Sequence, residues 1–392
     1  MAAALSRPWR LPAAVVPVLA AFVVVAVGGL SISGAHRALG PLGSPIAFLL
    51  AAVPLAVLLD RLGFFTALAG RLSGAGRGPG GLWVLAALVT TVLNLDASVV
   101  LLTPLYVRIA HRRQWDPLTL AFQPVLLACL ASSALPVSNL TNLIGSAATG
   151  AGTVDFVTHL ALPSLAATSV GWVCYRRVCR AGLVGSLTVG APPTVDLSAE
   201  AERRALLVGG MVVIVVLAGF TAGRSAGLQP WMVALAADAF LIGILRRVPL
   251  RQIPVGTALV AASLGVLAAA AAGHLPVRQL LAGHDIASLA RTTGVTALAA
   301  NVVNNLPALL ITLPTLGHRI SPTLWAVLLG VNMGPVLLIT GSLASLLWLD
   351  ALGRLGVKVR AWDFTRVGAL VGLPAAAAAL GVHLGLRASG LI

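Results

Sequence analysis

Asn94-Leu95-Asp96 breaks an apolar run between residues 82 and 107, and Asn301-Val302-Val303-Asn304-Asn305 breaks another between 287 and 317. Each arm beside a break is too short to cross about 30 Å of hydrocarbon at about 1.5 Å per residue. Both stretches therefore predict re-entrant helical hairpins whose tips meet near mid-depth. A second polar patch follows in each half. Ser138-Asn139-Leu140-Thr141-Asn142 lies in the stretch 117–150, and Thr340-Gly341-Ser342 lies in 322–353. These two stretches read as single crossings, each unwound at its patch. Pro104, Pro136, Pro307 and Pro335 lie near the breaks and weaken continuous helix there. Polar side chains at membrane depth are costly and persist only where they face protein or a water path. Two copies of one arrangement, one in each half, point to a transporter with a midplane solute site.

Of the 392 residues, 58% are hydrophobic and only 9% are charged. That balance belongs to a polytopic helical membrane protein and not to a soluble globule. The apolar runs are continuous rather than alternating, which excludes a membrane β-barrel. The net charge of +15 reads as the basic bias of cytoplasmic loops, since no loop is long enough for a nucleic-acid-binding domain. Cys129, Cys174 and Cys179 lack metal-site spacing, and their odd number argues against a disulfide framework. Arg7 and Arg10 precede an apolar run longer than a signal-peptide core, so an uncleaved first span is expected. The histidines, among them His111, His159, His274 and His318, fall mostly at loop positions and read as solvated.

Unbroken spans fall near 11–30, 45–60, 156–175, 203–222, 230–245, 254–273 and 364–386. With the N-terminus inside and both hairpins returning to the side they entered, all but six of the 26 Lys and Arg are cytoplasmic. The exceptions are Arg37, Arg224, Arg278, Arg291, Arg319 and Arg387. A full crossing at 82–107 would move His111-Arg112-Arg113 outside and flip every later loop up to the second hairpin, against the positive-inside rule. The first hairpin thus enters from the cytoplasm and the second from outside, the signature of inverted repeats. The chain is read as an all-α polytopic membrane protein of the inner (plasma) membrane. It has inverted-topology repeats, each with a re-entrant helical hairpin and an unwound transmembrane helix. Residues 1–180 form the first repeat, with its hairpin at about 82–107. Residues 181–202 form a cytoplasmic linker containing Pro192-Pro193. Residues 203–392 form the second repeat, with its hairpin at about 287–317 and one more span before it. Across the halves Asp96 pairs with Asn304, and Asn139 with Gly341.

Amides and hydroxyls at unwound tips donate and accept hydrogen bonds, and the ends of the half-helices add more of both. The candidate solute-binding residues are Asn94, Ser138, Asn139, Thr141, Asn142, Asn301, Asn304, Asn305, Thr340, Gly341 and Ser342. A plainer role for such residues is to join helices together. Burial disfavours a charged carboxylate, so Asp96 at the first tip and Asp238 in Ala236-Ala237-Asp238-Ala239 are the proton-carrier candidates. Asp238 reads equally well as a structural partner, and Asp350 as an interfacial pair with Arg354. No phosphate loop, His-Glu-x-x-His or Gly-x-Ser-x-Gly motif occurs, so neither an enzyme nor a cofactor or metal site is expected.

The run Asn94-Leu95-Asp96-Ala97-Ser98-Val99-Val100-Leu101-Leu102-Thr103-Pro104 resembles the hairpin segment of arsenite efflux permeases. These belong to the ion transporter superfamily, with dicarboxylate/sodium symporters and some sodium/proton antiporters. Leu135-Pro136-Val137-Ser138-Asn139-Leu140-Thr141-Asn142 is similar to that family's Leu-Pro…Ser-Asn-Leu-x-Asn stretch, and Val303-Asn304-Asn305-Leu306-Pro307 to its Asn-Asn-Leu-Pro element. Gly334-Pro335 followed by Thr340-Gly341-Ser342-Leu343-Ala344-Ser345-Leu346-Leu347-Trp348 closely resembles its Gly-Pro…Gly-Ser-Leu-Ala-Thr-Leu-Leu-Trp block. The resemblance implies export of arsenite or antimonite, as the neutral trihydroxide, in exchange for protons. It also implies an ATPase subunit in some systems, and related transporters form homodimers. The sequence departs from the family at Leu95, where arsenite pumps commonly carry Asn, and at Val336 and Leu338, where polar residues are common. The alternatives are a sodium-coupled dicarboxylate or anion symporter, a sodium/proton antiporter and, from another class, a passive channel.

Overall fold

The computed structural model describes residues 14–73, 78–183, 198–223, 227–317 and 319–392, and these are helical with no strand among them. Arg7, Arg10, Arg77, Arg224, His318 and Pro192-Pro193 lie outside the described residues. The first half opens with α1 (Val15–Ala26), α2 (Ile32–Leu39), α3 (Gly43–Arg61) and α4 (Phe64–Ser73). Its hairpin is α5 (Gly78–Val92) and α6 (Leu95–Arg113), its broken helix α7 (Pro117–Leu130) and α8 (Leu140–Thr149), and α9 (Thr153–Val178) ends it. The second half opens with α10 (Ala199–Ala222), α11 (Pro230–Leu245), α12 (Val255–Ala272) and the short α13 (Val277–Leu280). Its hairpin is α14 (Ile286–Val303) and α15 (Asn305–Leu316), its broken helix α16 (Pro322–Met333) and α17 (Leu343–Arg354), and α18 (Ala361–Ala388) ends it.

Local signals recur in the same order in both halves. Asp155 accepts from the Gly152 N–H at 2.7 Å at the start of α9, and Asp363 accepts from the Arg360 N–H at 3.3 Å at the start of α18. These carboxylates satisfy N–H groups that a helix start leaves unpaired. Each helix then makes one π-helical turn, Val157–Ala161 and Gly368–Gly372, just before the Leu-Pro steps Leu162-Pro163 and Leu373-Pro374.

The predicted breaks are real reversals. Thr90 and Ser98 flank Asn94 symmetrically, and their hydroxyls are 2.8 Å apart. Tyr106, further out on α6, donates to the Leu82 carbonyl near the start of α5. Such contacts require α5 and α6 to run side by side, because a continuous helix would separate these pairs by many ångströms. In the second hairpin the break comes at Asn304. Asn301, Val302 and Val303 stay helical, so α14 is an 18-residue arm, longer than the sequence suggests.

The two hairpins stand at opposite ends of the molecule. Arg71, on the helix leading into the first hairpin, pairs with Glu202 at the start of α10 at 3.1 Å. The far end of α10 meets the start of α9, where Thr153 donates to the Phe220 carbonyl at 3.3 Å. His159, just beyond, stacks on Trp325 of α16 at 4.3 Å. His284, before α14, lies 3.1 Å from Thr323 at the start of α16. The 24 residues of α10 separate these ends by about 36 Å at the usual helical rise. Inverted repeats follow from these contacts alone.

The halves also interlock. The return arm α6 packs on α17 of the other half, and the return arm α15 packs on α8. Trp348 of α17 is fully buried and donates to the Ala121 carbonyl of α7 at 2.7 Å. Leu207, Met211, Ile214 and Val215 on α10 are exposed, as suits a face turned to lipid.

Candidate solute site

Asn94 and Asn304 head the return arms of the hairpins with positive φ, 149° and 83°. With ψ at 153° in both, this is extended positive-φ backbone that is almost confined to glycine, and the bonds of each amide hold the strained turn in place. Asn94 Oδ1 accepts from the Asp96 N–H at 2.8 Å, and Asn304 Oδ1 from the Leu306 N–H at 3.2 Å. Each Nδ2 then reaches the unwound segment of its own half. Asn94 donates to the Val137 carbonyl at 3.4 Å and Asn304 to the Thr340 carbonyl at 3.1 Å. The tips therefore pair as Asn94 with Asn304, two residues from the Asp96–Asn304 alignment.

The unwound segments share a second design. Pro136–Ser138 and Ile339–Gly341 are both 3-10 turns. Asn139 and Ser342 follow as helix caps, accepting from the Thr141 N–H at 3.2 Å and the Ser345 N–H at 3.1 Å. The caps therefore pair as Asn139 with Ser342, one residue beyond the Asn139–Gly341 alignment. Four helix starts, of α6, α8, α15 and α17, thus lie at the patches, each with a partial positive charge.

Most of the predicted site residues are held by the backbone. Asn142 Nδ2 donates to the carbonyls of Ser132 at 2.8 Å and Leu135 at 2.9 Å. Asn301 Nδ2 donates to those of Gly334 at 2.6 Å and Ala297 at 3.0 Å, while its Oδ1 accepts from the Leu338 N–H at 3.1 Å. Ser138 donates to the Thr91 carbonyl at 2.5 Å, and the Ser342 and Ser345 hydroxyls lie 2.8 Å apart. Gly341 presses on Pro335, where an added Cβ would come within 2.9 Å of the proline Cα. These bonds hold non-helical backbone in place where water is scarce.

Thr103, Gln123, Thr292 and His383 also bury polar atoms without a partner among the described residues, but at the patches the unspent bonding capacity belongs to three groups. Asp96 Oδ1 is buried with no hydrogen-bond partner among the described residues. Asn305, the first residue of α15, is 6% exposed and its side chain bonds to nothing described. The half-buried Thr340 hydroxyl is likewise unbonded. No Lys or Arg is among the buried described residues. Asp238 is also buried with an unpartnered Oδ1, but α11 packs mainly on α3 and α10, and neither belongs to a hairpin. Asp350 pairs with Arg354 at 2.7 Å.

A cavity of about 530 Å3 borders this region, walled by Ser44, Ser146, Phe220 and Gln229 together with Leu135, Pro136 and Val137. It therefore touches the residue whose carbonyl Asn94 holds. The sequence reading missed Asn332, which is 2% exposed on α16 and bonds to Asn139, Thr141 and Asn142 together. Its signal was a lone amide in an apolar run between Gly330 and Gly334. The solvated reading of His159 also changes, because its ring lies flat on Trp325 and its Nδ1 contacts the Asp155 carbonyl at 2.8 Å.

Inverted hairpins, crossed return arms and a buried polar junction define a multi-pass membrane transporter of the ion transporter superfamily. The chain belongs to the citrate transporter family, whose sequence model matches residues 1–330. It is 25% identical over 360 residues to an arsenical pump membrane protein of Escherichia coli, covering 83% of this chain and 82% of that one. It is 27% identical over 313 residues to an uncharacterized transporter of Mycobacterium tuberculosis, covering 74% and 72%. The fold is similar to the crystal structure of the YdaH transporter of Alcanivorax borkumensis. The TM-score is 0.58 at 16% identity, over 95% of this chain and 89% of that one.

Proposed function

We propose that this chain is a secondary active exporter of arsenite or antimonite, taken as the neutral trihydroxide and exchanged for protons by alternating access. One observation carries the reading. The polar patches offer a carboxylate, an amide and a hydroxyl with unspent hydrogen-bond capacity, and no Lys or Arg side chain is buried among the described residues. A neutral trihydroxide donates and accepts hydrogen bonds and needs no counter-charge. A carboxylate-bearing solute would meet Asp96 with no cation to offset the repulsion. The N-terminus is cytoplasmic in this reading, so the cavity beside Val137 opens outward. Asp96 takes a proton from that side and releases it inside. Asn305 and Thr340 contact the solute, while Asn94, Ser138, Asn139, Thr141, Asn142, Asn301, Asn304, Gly341 and Ser342 shape the unwound backbone around it.

A second reading is favoured by the four helix starts, whose partial positive charge suits an anion. It is also suggested by the family's name. In that reading the solute is citrate or a similar anion carried in with cations. Everted vesicles separate the two. The first reading expects arsenite to accumulate when the lumen is acidified and expects citrate to be ignored. Citrate movement without arsenite movement would overturn it in favour of the second.

A further inference from the structure

We propose that Asn332 is a positioning residue that holds the first-half polar patch in register with the second hairpin; the solute assay below rests on the transporter reading. Its Oδ1 accepts from Asn139 Nδ2 at 2.9 Å and from the Thr141 hydroxyl at 2.7 Å. Its Nδ2 donates to Asn142 Oδ1 at 2.7 Å and to the Ser133 hydroxyl at 3.4 Å. One side chain of the second half thus engages four polar side chains of the first. Asn142 uses its own Nδ2 on the carbonyls of Ser132 and Leu135, so Asn332 acts through it on the shape of the unwound segment.

Gly330 on α16 and Gly334, which caps the end of α16, press against α14. An added Cβ at Gly330 would lie 2.0 Å from Thr296 Oγ1, and one at Gly334 would lie 2.5 Å from the Ala297 carbonyl oxygen. Small residues four apart let two helix backbones meet closely. Asn332 stands between them in sequence and bonds to the other half. A shift of α14 is therefore passed through α16 to Asn139 and Asn142. The link is one-sided. Matching Asn139 to Ser342 places Cys129 opposite Asn332, and Cys129 is a free buried thiol.

The test uses Asn332→Leu, similar in volume without donor or acceptor, and Asn332→Asp, which keeps the acceptor but loses the donor to Asn142. Arsenite uptake into everted vesicles gives KM and maximal rate, and detergent melting is read on the same preparations. Asn332→Leu removes all four bonds and is expected to raise KM by about tenfold, the free energy of one good buried hydrogen bond reaching the solute site. None of the four side chains bonded to Asn332 titrates, so Asn332→Asp is expected to regain activity toward acid, where its carboxyl can donate. A lowered melting temperature with unchanged KM and pH profile means a merely structural residue and overturns the proposal. A second readout needs no solute. Val137→Cys, in a background lacking the native cysteines, is labelled with an impermeant maleimide, and either Asn332 variant is expected to change its rate by about fivefold, a loosening of about 1 kcal/mol. Altered labelling in a protein that moves no arsenite would overturn the solute reading alone. Unaltered labelling with unaltered KM would sink the role of Asn332, and Asn332→Asp decides where Asn332→Leu does not fold.

Discussion

Asn94 and Asn304 occupy one structural position twice: each has positive φ, caps the arm that follows it and donates to a carbonyl of its own unwound segment. Two properties of asparagine are used together there, and substitutions separate them. Asn304→Gly removes the cap but accepts the φ of 83° without strain. Asn304→Ala removes the cap and adds about 1–2 kcal/mol of backbone strain to a cap loss of about 1 kcal/mol. Melting in detergent should rank wild type above Gly and Gly above Ala. Equal losses for the two variants would show that the backbone there is not held at positive φ.

Gly330 tests how tightly the second hairpin seats on α16. Gly330→Ala should destabilise by about 1–3 kcal/mol, because the new methyl meets both Thr296 Oγ1 and the Thr293 carbonyl. Gly381→Ala is the control, since a Cβ there meets nothing within 4 Å and alanine is the better helix former. Thr296→Ala removes one of the two clashes and should recover part of the loss. Full tolerance of Gly330→Ala would mean that α14 and α16 are not packed this closely.

The break positions were legible because an amide inside a long apolar run is costly to bury unless it bonds to backbone that the helix has released. The positive-inside rule then fixed the hairpin reading of 82–107, and the Tyr106–Leu82 bond agrees with it. The length of α14 was not legible, since Asn301 can stay helical while bonding to Gly334 and the pattern does not show which amide marks the turn. Asn332 escaped because it stands alone, and its partners come from the other half of the chain, a separation no local pattern reports. The set of site residues was too broad for the same reason. Sequence shows that an amide is present but not whether backbone carbonyls already occupy it, as they do for Asn142 and Asn301.

Asp285 gives the second hairpin a pH dependence of defined sign. It caps α14 from outside the helix, and bonds from the Ser288 hydroxyl at 2.5 Å and N–H at 3.2 Å hold its carboxyl below the usual carboxylate range. A depressed folded value means the cap contributes fully above the ordinary carboxylate pKa of about 3.9 and is lost as pH falls through the lower value. Hydrogen exchange in the first turn of α14 should therefore quicken relative to the rest of the helix as the pH falls below the ordinary carboxylate value of about 3.9. Asp285→Asn still caps but does not titrate, and its relative exchange should stay flat.

Among the described residues two buried carboxylates have an unpartnered oxygen, and their positions predict different outcomes. Asp96 lies at the first tip, in the first turn of α6, where the helix start favours negative charge and the Asn94 cap fixes the backbone beside it. Asp238 lies on α11 against α3 and α10. If the tip is where proton and solute exchange, Asp96→Asn keeps the shape and the fold but removes the proton carrier. Arsenite efflux driven by a pH gradient should then fall by at least about a hundredfold, the loss expected when a proton-transfer group is removed. Exchange of arsenite against arsenite, which needs no net proton movement, should survive. Asp238→Asn should leave both within a few-fold. A reversed result, with Asp238→Asn uncoupled and Asp96→Asn intact, would move the proton path off the hairpin and onto the α3–α11 contact.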